Sequence, residues 1–152
     1  MDVSKDGQLM AVLEEGQDHV MLYCHGNTAP HAIYRGHGEA FRPFDVCFYM
    51  IDGEERLVIA DWLNDVLHVV EVGESCKLIG HVGGECPELV KPTALCADRE
   101  GRLWIGCQGG HVFKLRDTDF LSDEEESNSF DQSDDSEVVH SEPKRQKTLF
   151  DF

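Results

Sequence analysis

The chain has 152 residues, with 13 Lys and Arg against 30 Asp and Glu, and a formal net charge of −17 at pH 7. This length predicts one domain of ordinary size plus a tail. So acidic a balance argues against a large nucleic-acid footprint, because phosphate binding depends on neutralisation by Lys and Arg.

The sequence shows no 18-residue apolar run and no signal-peptide pattern at its start, so we expect neither a membrane span nor secretion. A reducing compartment follows, and the six cysteines, which never form C-x-x-C, are predicted to be free thiols. A zinc site is the alternative, with Cys24, His25, Cys107 and His111 as the best ligands, although their spacing fits no paired-knuckle pattern. We expect no cofactor.

One pattern repeats three times along the first 115 residues. The segments read DGQLMAVLEEGQDHVMLY (6–23), DGEERLVIADWLNDVLHVV (52–70) and EGRLWIGCQGGHVFKL (100–115). Val20, Val66 and Val112 are each 46 residues apart, and Leu9, Leu57 and Leu103 recur at 48 and 46. A period of this length is typical of stacked or radial β architectures.

Each unit reads as a series of short strands separated by turns. An Asp-Gly or Glu-Gly turn opens a hairpin, and a second turn follows at Asn64-Asp65 or Gly109-Gly110. A further strand precedes each hairpin and is entered through Pro43 or Pro92, a place that tolerates proline. The first unit lacks this opening strand. No amphipathic helix of ten residues is predicted.

The second unit, residues 36–70, resembles an NHL repeat, which reads roughly G-x-G-x-F-x-x-P-x-G-[IV]-A-[VL]-D, then G-x-[IL]-[YV]-V-A-D, then N-x-R-[IV]-x-[VK]. Its matching positions are Gly36, Gly38, Phe41, Pro43, Val46, Gly53, Leu57, Ile59, Ala60, Asp61, Asn64, Val66 and Val69. The third unit matches at Gly80, Gly83, Pro92, Asp98, Gly101, Leu103, Trp104, Ile105 and Val112. The third unit departs where Ile105-Gly106-Cys107 replaces V-A-D, and in the second unit Asp65 stands near the family's Arg.

The resemblance implies an all-β fold in which residues 1–118 form a partial β-propeller of about two and a half four-stranded antiparallel blades. Because NHL propellers have about six blades, this chain is expected to be part of a larger propeller. A self-assembling mini-ring is the alternative. NHL domains in tripartite-motif ubiquitin ligases recognise protein partners, which implies a non-enzymatic interaction module or scaffold, and some bind RNA.

Metal-dependent NHL lyases and lactonase-like relatives imply a third class, a hydrolase or lyase with ligands at the propeller axis. His19, His68 and His111 lie near equivalent strand positions but out of strict register, and histidine on a β edge is expected at the surface. No Ser-His-Asp, G-x-S-x-G or H-E-x-x-H pattern is present. For RNA, the arginines are interleaved with acids, which predicts an ordinary solvated surface; these are Arg35, Arg42, Arg56, Arg99 and Arg102.

The two tryptophans receive different predictions. Trp104 lies within a predicted strand and is expected in the core. Trp62 follows Asp61 in a turn and is the candidate contact residue on the body.

Residues 119–143 form an acidic, serine-rich linker with few apolar side chains, a composition that predicts disorder. Residues 119–152 carry 3 Lys and Arg against 11 Asp and Glu, whereas residues 1–118 carry 10 against 19. Ser122, Ser133 and Ser136 lie among acids and are phosphorylation candidates, with a merely solubilising spacer as the alternative.

Residues 144–152 combine basic and apolar side chains. Lys144, Arg145 and Lys147 fit a minimal nuclear import pattern, so we expect the protein in the nucleus, the cytoplasm or both. The same stretch resembles the sliding-clamp (PCNA) interaction box, Q-x-x-[LMI]-x-x-[FY]-[FY]. Gln146, Leu149 and Phe152 match, the second aromatic is missing and Phe150 is expected to compensate in part. A PDZ-type carboxylate ligand and a chance terminus are the alternatives.

Overall fold

The computed structural model describes residues 1–37, 40–83 and 88–120, apart from the side chains of residues 117 and 118. This part of the chain is all-β, as predicted, with one short 3₁₀ turn at Asp117–Phe120. None of its helical segments is long and apolar enough to cross a membrane.

Eleven strands in the described residues form three antiparallel sheets. Sheet 1 contains β1 (Asp2–Val3), β2 (Leu9–Leu13), β3 (Val20–Cys24) and β4 (Ala32–Tyr34). Sheet 2 contains β5 (Pro43–Ile51), β6 (Glu54–Asp61), β7 (Val66–Val72) and β8 (Cys76–Gly83). Sheet 3 contains β9 (Pro92–Ala97), β10 (Arg102–Cys107) and β11 (Val112–Arg116).

Each sheet is a simple meander, because its strands pair in chain order and every pair is antiparallel. The prediction that the first unit lacks an opening strand is wrong. The two-residue strand β1 pairs with Met10 and Ala11 of β2 and completes a four-stranded sheet. A strand this short gives a weak sequence signal, because period-two alternation needs several residues to appear.

The turns are placed where the sequence predicts them. Gly53 has φ 76° in the turn between β5 and β6, and Gly101 has φ 73° in the corresponding turn of sheet 3. Glycine adopts this left-handed conformation without the steric cost of a Cβ atom. Pro43 and Pro92 begin β5 and β9, the positions at which a missing N–H is tolerated.

Sheet 2 lies between the other two sheets, and its strands therefore bury both faces. Leu57 and Ile59 pack in a cluster with sheet 1, whereas the alternating Val58 and Ala60 pack in a second cluster with sheet 3. This arrangement explains the nearly continuous apolar run of β6, since a strand covered on both sides needs no polar face.

The sheets also contact each other through their first strands. Asp2 of β1 accepts a hydrogen bond from the Phe48 amide of β5 at 2.7 Å, and Asp45 of β5 accepts one from the Leu95 amide of β9 at 2.8 Å. The two aspartates are equivalent, because Asp2 pairs with Ala11 as Asp45 pairs with Ala60. The same contact thus joins sheet 1 to sheet 2 and sheet 2 to sheet 3.

The 3₁₀ turn after β11 folds back on the core. The ring of Phe120 lies 5.6 Å from that of Tyr49 on β5, centroid to centroid. The Tyr49 hydroxyl in turn donates a hydrogen bond to the Gly101 carbonyl at 2.7 Å. The packed body therefore extends to Phe120.

Candidate protein-interaction surface around Trp62

The turn that follows β6 lies beside the entry to β5, on the same edge of the stack as the entry to β9. The Trp62 amide donates to the Arg42 carbonyl at 3.0 Å, and the Gln108 amide donates to the Lys91 carbonyl at 2.9 Å. Arg42 and Lys91 each precede the proline that opens a sheet. Equivalent connections of sheets 2 and 3 thus bring these four residues together.

The indole ring of Trp62 is the centre of this group. Lys91 Nζ lies 4.4 Å from the ring centroid and Arg42 Cζ lies 5.6 Å from it, both over the ring. Trp62 Nε1 donates to Gln108 Oε1 at 3.1 Å, and the ring of Phe44 lies 6.3 Å away. We call these residues the Trp62 surface: Arg42, Phe44, Trp62, Lys91 and Gln108.

Much of this surface is accessible to a partner. Phe44 is 52% exposed and Leu63, in the turn beside Trp62, is 48% exposed. Neither Arg42 nor Lys91 forms an ion pair with a carboxylate within the described residues, whereas Arg35, Arg56 and Arg102 do. Two cations and two apolar side chains are therefore presented together on a protein that is acidic as a whole.

The backbone at this surface is strained. Lys91 has φ 50° and Asp65 has φ 57°, and the third non-glycine residue with positive φ in the described chain is Asp52, in a tight turn. The Lys91 amide donates to Asp65 Oδ1 at 2.7 Å, which holds the two left-handed residues together. Such conformations cost free energy and concentrate at functional sites.

The buried carboxylate of Asp61 positions the Trp62 turn by hydrogen bonds from the interior of the protein. Its Oδ1 accepts hydrogen bonds from the amides of Arg42 and Leu63, both at 3.2 Å. Its Oδ2 accepts from Asn64 Nδ2 at 2.6 Å and lies 3.1 Å from His68 Nε2. The Asp61 side chain is fully buried and satisfies the donors of both chain segments that form the surface.

His68 extends this network into sheet 1. Its Nδ1 lies 2.7 Å from the Tyr34 hydroxyl, and His68 is only 2% exposed. Burial and then the negative charge of Asp61 raise the pKa of Tyr34 to about 12. The hydroxyl therefore stays protonated and donates a hydrogen bond to Nδ1. The proton of a neutral His68 then resides on Nε2, which donates to Asp61.

The pKa of Asp61 reflects the same contacts. Burial raises it, but the hydrogen bonds from His68, Asn64 and the Arg42 amide outweigh burial and hold the pKa below its ordinary value. Asp61 is therefore ionised at neutral pH and acts as a pure acceptor for the four donors around it.

The sequence predicts Trp62 as a candidate contact residue but does not predict its neighbours on this surface. Arg42, Lys91 and Gln108 are separated from it by up to 46 residues, so only the repeat connects them. The available signal was the Arg-Pro and Lys-Pro pairs that open β5 and β9. Superposing these pairs would have aligned Arg42 with Lys91.

The prediction that Trp104 lies in the core is wrong. Trp104 is 37% exposed, its Nε1 donates to Asp98 Oδ2 at 2.7 Å, and Arg102 lies over its ring. Trp104 projects from the face of sheet 3 that no other described sheet covers. Strand periodicity predicts that successive side chains point to opposite faces of the sheet, but it does not show which face another sheet covers.

The prediction that the strand histidines lie at the surface is wrong for His68. Its neighbours in V-L-H-V-V are all apolar, and this continuous run was the signal that the strand is buried on both sides. His19 hydrogen-bonds Asp18, and His111 stacks on Phe113, so the three candidate ligands are not brought together. The described residues contain no cluster of three metal-binding side chains.

Five of the six cysteines lie in the described part of the chain, and all five are free thiols. Burial, followed by the charge of Asp2, raises the pKa of the Cys47 thiol to about 12, so this thiol is protonated at neutral pH. The phosphorylation, nuclear import and clamp-docking candidates at residues 122, 133, 136, 144–147, 149, 150 and 152 lie outside the described residues.

No protein-family model matches the chain. No curated protein matches it either. The likeness to NHL repeats therefore rests on the positions quoted from the sequence.

Proposed function

We propose that the three sheets are consecutive blades of an NHL-type β-propeller and that the chain is a non-enzymatic protein-interaction module. The support is the order of the strands, since each sheet is a meander packed face to face on the next. The repeated hydrogen bonds between first strands add to this, because propeller blades approach each other most closely at the central axis.

The Trp62 surface is the proposed binding site, and its ligand is an acidic peptide segment with at least one apolar side chain. The observation that carries this proposal is the pair of cations over Trp62 that no described carboxylate neutralises. A carboxylate of the peptide pairs with Lys91 or Arg42, and its apolar residue packs on Phe44. Aromatic and arginine side chains of this kind dominate the affinity of many interfaces.

An RNA ligand fits the same surface less well. Residues 1–118 carry an excess of nine acidic residues over basic ones, which repels a polyanion. The cations also lie over the Trp62 ring, on which a base would otherwise stack. A peptide with a few carboxylates satisfies both cations and leaves the indole in place.

The binding test uses the full chain and a fluorescein-labelled acidic hexapeptide with one central Phe, followed by fluorescence anisotropy. Trp62→Ala and Lys91→Glu should each weaken binding about tenfold or more, because each removes an anchor of the surface. The matched control is Trp104→Phe, which changes the other tryptophan and should leave the affinity unchanged.

Two further probes separate the alternatives. A lysine-for-glutamate version of the peptide should not bind, and a single-stranded oligouridylate should bind more weakly than the acidic peptide. Equal affinities for wild type and both surface variants would refute the peptide site. Preferential capture of the oligouridylate would support an RNA-binding module instead.

We further propose that residues 144–152 dock on the DNA sliding clamp. The support is the spacing of Gln146, Leu149 and Phe152, because a segment with this spacing that bound as a 3₁₀ turn would present its two apolar side chains on one side. The NHL resemblance adds a link to ubiquitin ligation, in which the body recognises one protein while the terminal motif binds the clamp.

A further inference from the structure

Sheet 3 has a face that no described part of the chain covers, and on it apolar side chains lie beside Arg102 and Lys114. Trp104 is 37% exposed and Val112 is 52% exposed, and Cys96 lies exposed beside Trp104 on the neighbouring strand. The opposite face of sheet 3, which contains Leu103 and Ile105, is buried against sheet 2. Because strand side chains alternate, one face of this sheet is in the core and the other meets solvent.

The pairing register shows which residues of sheet 2 correspond to these exposed residues of sheet 3. Cys96 pairs with Trp104 as Cys47 pairs with Val58, and Gly106 pairs with Val112 as Ala60 pairs with Leu67. In sheet 2 the residues at these positions are buried against sheet 3; they are Cys47, Val58, Ala60 and Leu67. The open face of sheet 3 is thus the counterpart of a face that packs on a following sheet.

Sheet 1 has the complementary open face. Val3 is 48% exposed and Ile33 is 42% exposed, and between them lie the half-buried side chains of Met10, Met21 and Tyr23. By register, Val3 and Met10 pair with each other as Val46 and Ile59 do. In sheet 2 that pair is buried against the preceding sheet.

We propose that the open face of sheet 3 binds the open face of sheet 1 in a second copy of this chain. The two faces are the two halves of the junction that already occurs twice inside the chain, between sheets 1 and 2 and between sheets 2 and 3. If sheet 3 of each copy packs on sheet 1 of the other, the dimer contains six sheets, a number within the range of closed propellers. Closure covers the exposed apolar side chains of both open faces.

Two differences separate this junction from the internal ones. Ala94 stands in sheet 3 where sheets 1 and 2 have Asp2 and Asp45, so the hydrogen bond between first strands is not available. Lys114 pairs with Trp104 where the buried Val69 of sheet 2 pairs with Val58, so closure must also accommodate a lysine at the edge of the junction. The association therefore depends on apolar contact around Trp104. Because both copies are acidic, their mutual repulsion opposes association, and added salt should strengthen the dimer by screening it.

The test measures the mass of the full chain by light scattering or sedimentation over a concentration series. Wild type should reach twice the 17.1 kDa mass of one chain, and more readily at high salt. Met10→Glu and Trp104→Glu each place a charge in the junction and should raise the dissociation constant about a hundredfold. Met50→Glu is the control, because Met50 is 39% exposed on sheet 2, outside both open faces.

Mixing the two variants tests the head-to-tail arrangement. Each variant keeps one intact face, so an equimolar mixture should recover a dimer held by a single junction, although neither variant dimerises alone. Circular dichroism and thermal midpoints verify that both variants fold.

Three results overturn the proposal. The first is a wild-type mass of one chain at every concentration, and the second is a mass that continues to grow beyond two chains. The third is a Met10→Glu variant that dimerises normally, since this would mean that two copies of one face pair with each other. The test does not depend on the Trp62 ligand, so its failure leaves that proposal intact.

Discussion

Asp61 links the buried interior to the candidate binding surface. The sequence indicated Asp61 and Asn64 through the NHL pattern, and both belong to the network that fixes the Trp62 turn. The contribution of Tyr34 was not predictable, because it lies on β4 of another sheet, 34 residues from the His68 that it contacts. A side chain that acts across a sheet–sheet junction leaves no local pattern in the sequence.

Asp61→Asn should destabilise the protein by about 2–3 kcal/mol at neutral pH, because an amide NH₂ group would face the donors of His68 and Asn64 without an acceptor. Urea denaturation of the full chain measures this loss. The exposed Glu74→Gln exchange is the control and should change stability by less than about 0.5 kcal/mol. A variant as stable as wild type would mean that the network contributes nothing net.

The pH dependence of stability provides a second measure of the same carboxylate. The pKa of Asp61 is lower in the folded protein than in the unfolded chain, so ionised Asp61 stabilises the fold above about pH 4. That contribution is lost as pH falls through the folded pKa. Between pH 5 and 3, wild type should therefore lose more stability than Asp61→Asn, and parallel curves for the two proteins would contradict the assignment.

At the scale of elements, the sequence predicted turns and strand starts better than faces. Glycines and prolines mark chain conformations that few other residues adopt, so Gly53, Gly101, Pro43 and Pro92 fixed the hairpins and the strand entries. Which side of a strand is buried depends on neighbouring sheets, and Trp104 was misplaced for this reason. The aligned valines show the same limit, since Val112 pairs with Gly106 as Leu67, not Val66, pairs with Ala60.

The contact between first strands should contribute measurably to stability. Asp45→Ala removes the acceptor of the Leu95 amide and should cost about 1–2 kcal/mol, because that amide is left without its partner in the junction. Thermal or urea unfolding of the full chain measures the effect. Asp18→Ala is the matched control, since Asp18 is 76% exposed and its described ion-pair partners are His19 and the exposed Arg35. Equal losses of stability for the two variants would show that the hydrogen bond between Asp45 and the Leu95 amide is dispensable.

At the scale of the whole molecule, the charge is divided between two parts with different chemistry. The body of three stacked sheets and the acidic segment that follows it each account for about half of the excess negative charge. The Trp62 surface is a locally positive region of the acidic body, and Lys144, Arg145 and Lys147 form a second positive region near the end of the chain. Both positive regions adjoin apolar side chains, which is the combination expected of sites that bind acidic, apolar protein surfaces.

The terminal motif can be tested separately from the body, by calorimetry of the full chain and of a peptide covering residues 139–152 against the sliding clamp. Leu149→Ala and Phe152→Ala should each reduce affinity about tenfold or more, because each removes one of the two apolar side chains that are proposed to enter one pocket of the clamp. Residues added after Phe152 should leave clamp binding unchanged but abolish capture by a PDZ-type groove, which requires a free carboxylate. If both alanine variants retain the wild-type heat of binding, the clamp proposal is wrong. If only the extension abolishes binding, the end of the chain is a carboxylate ligand.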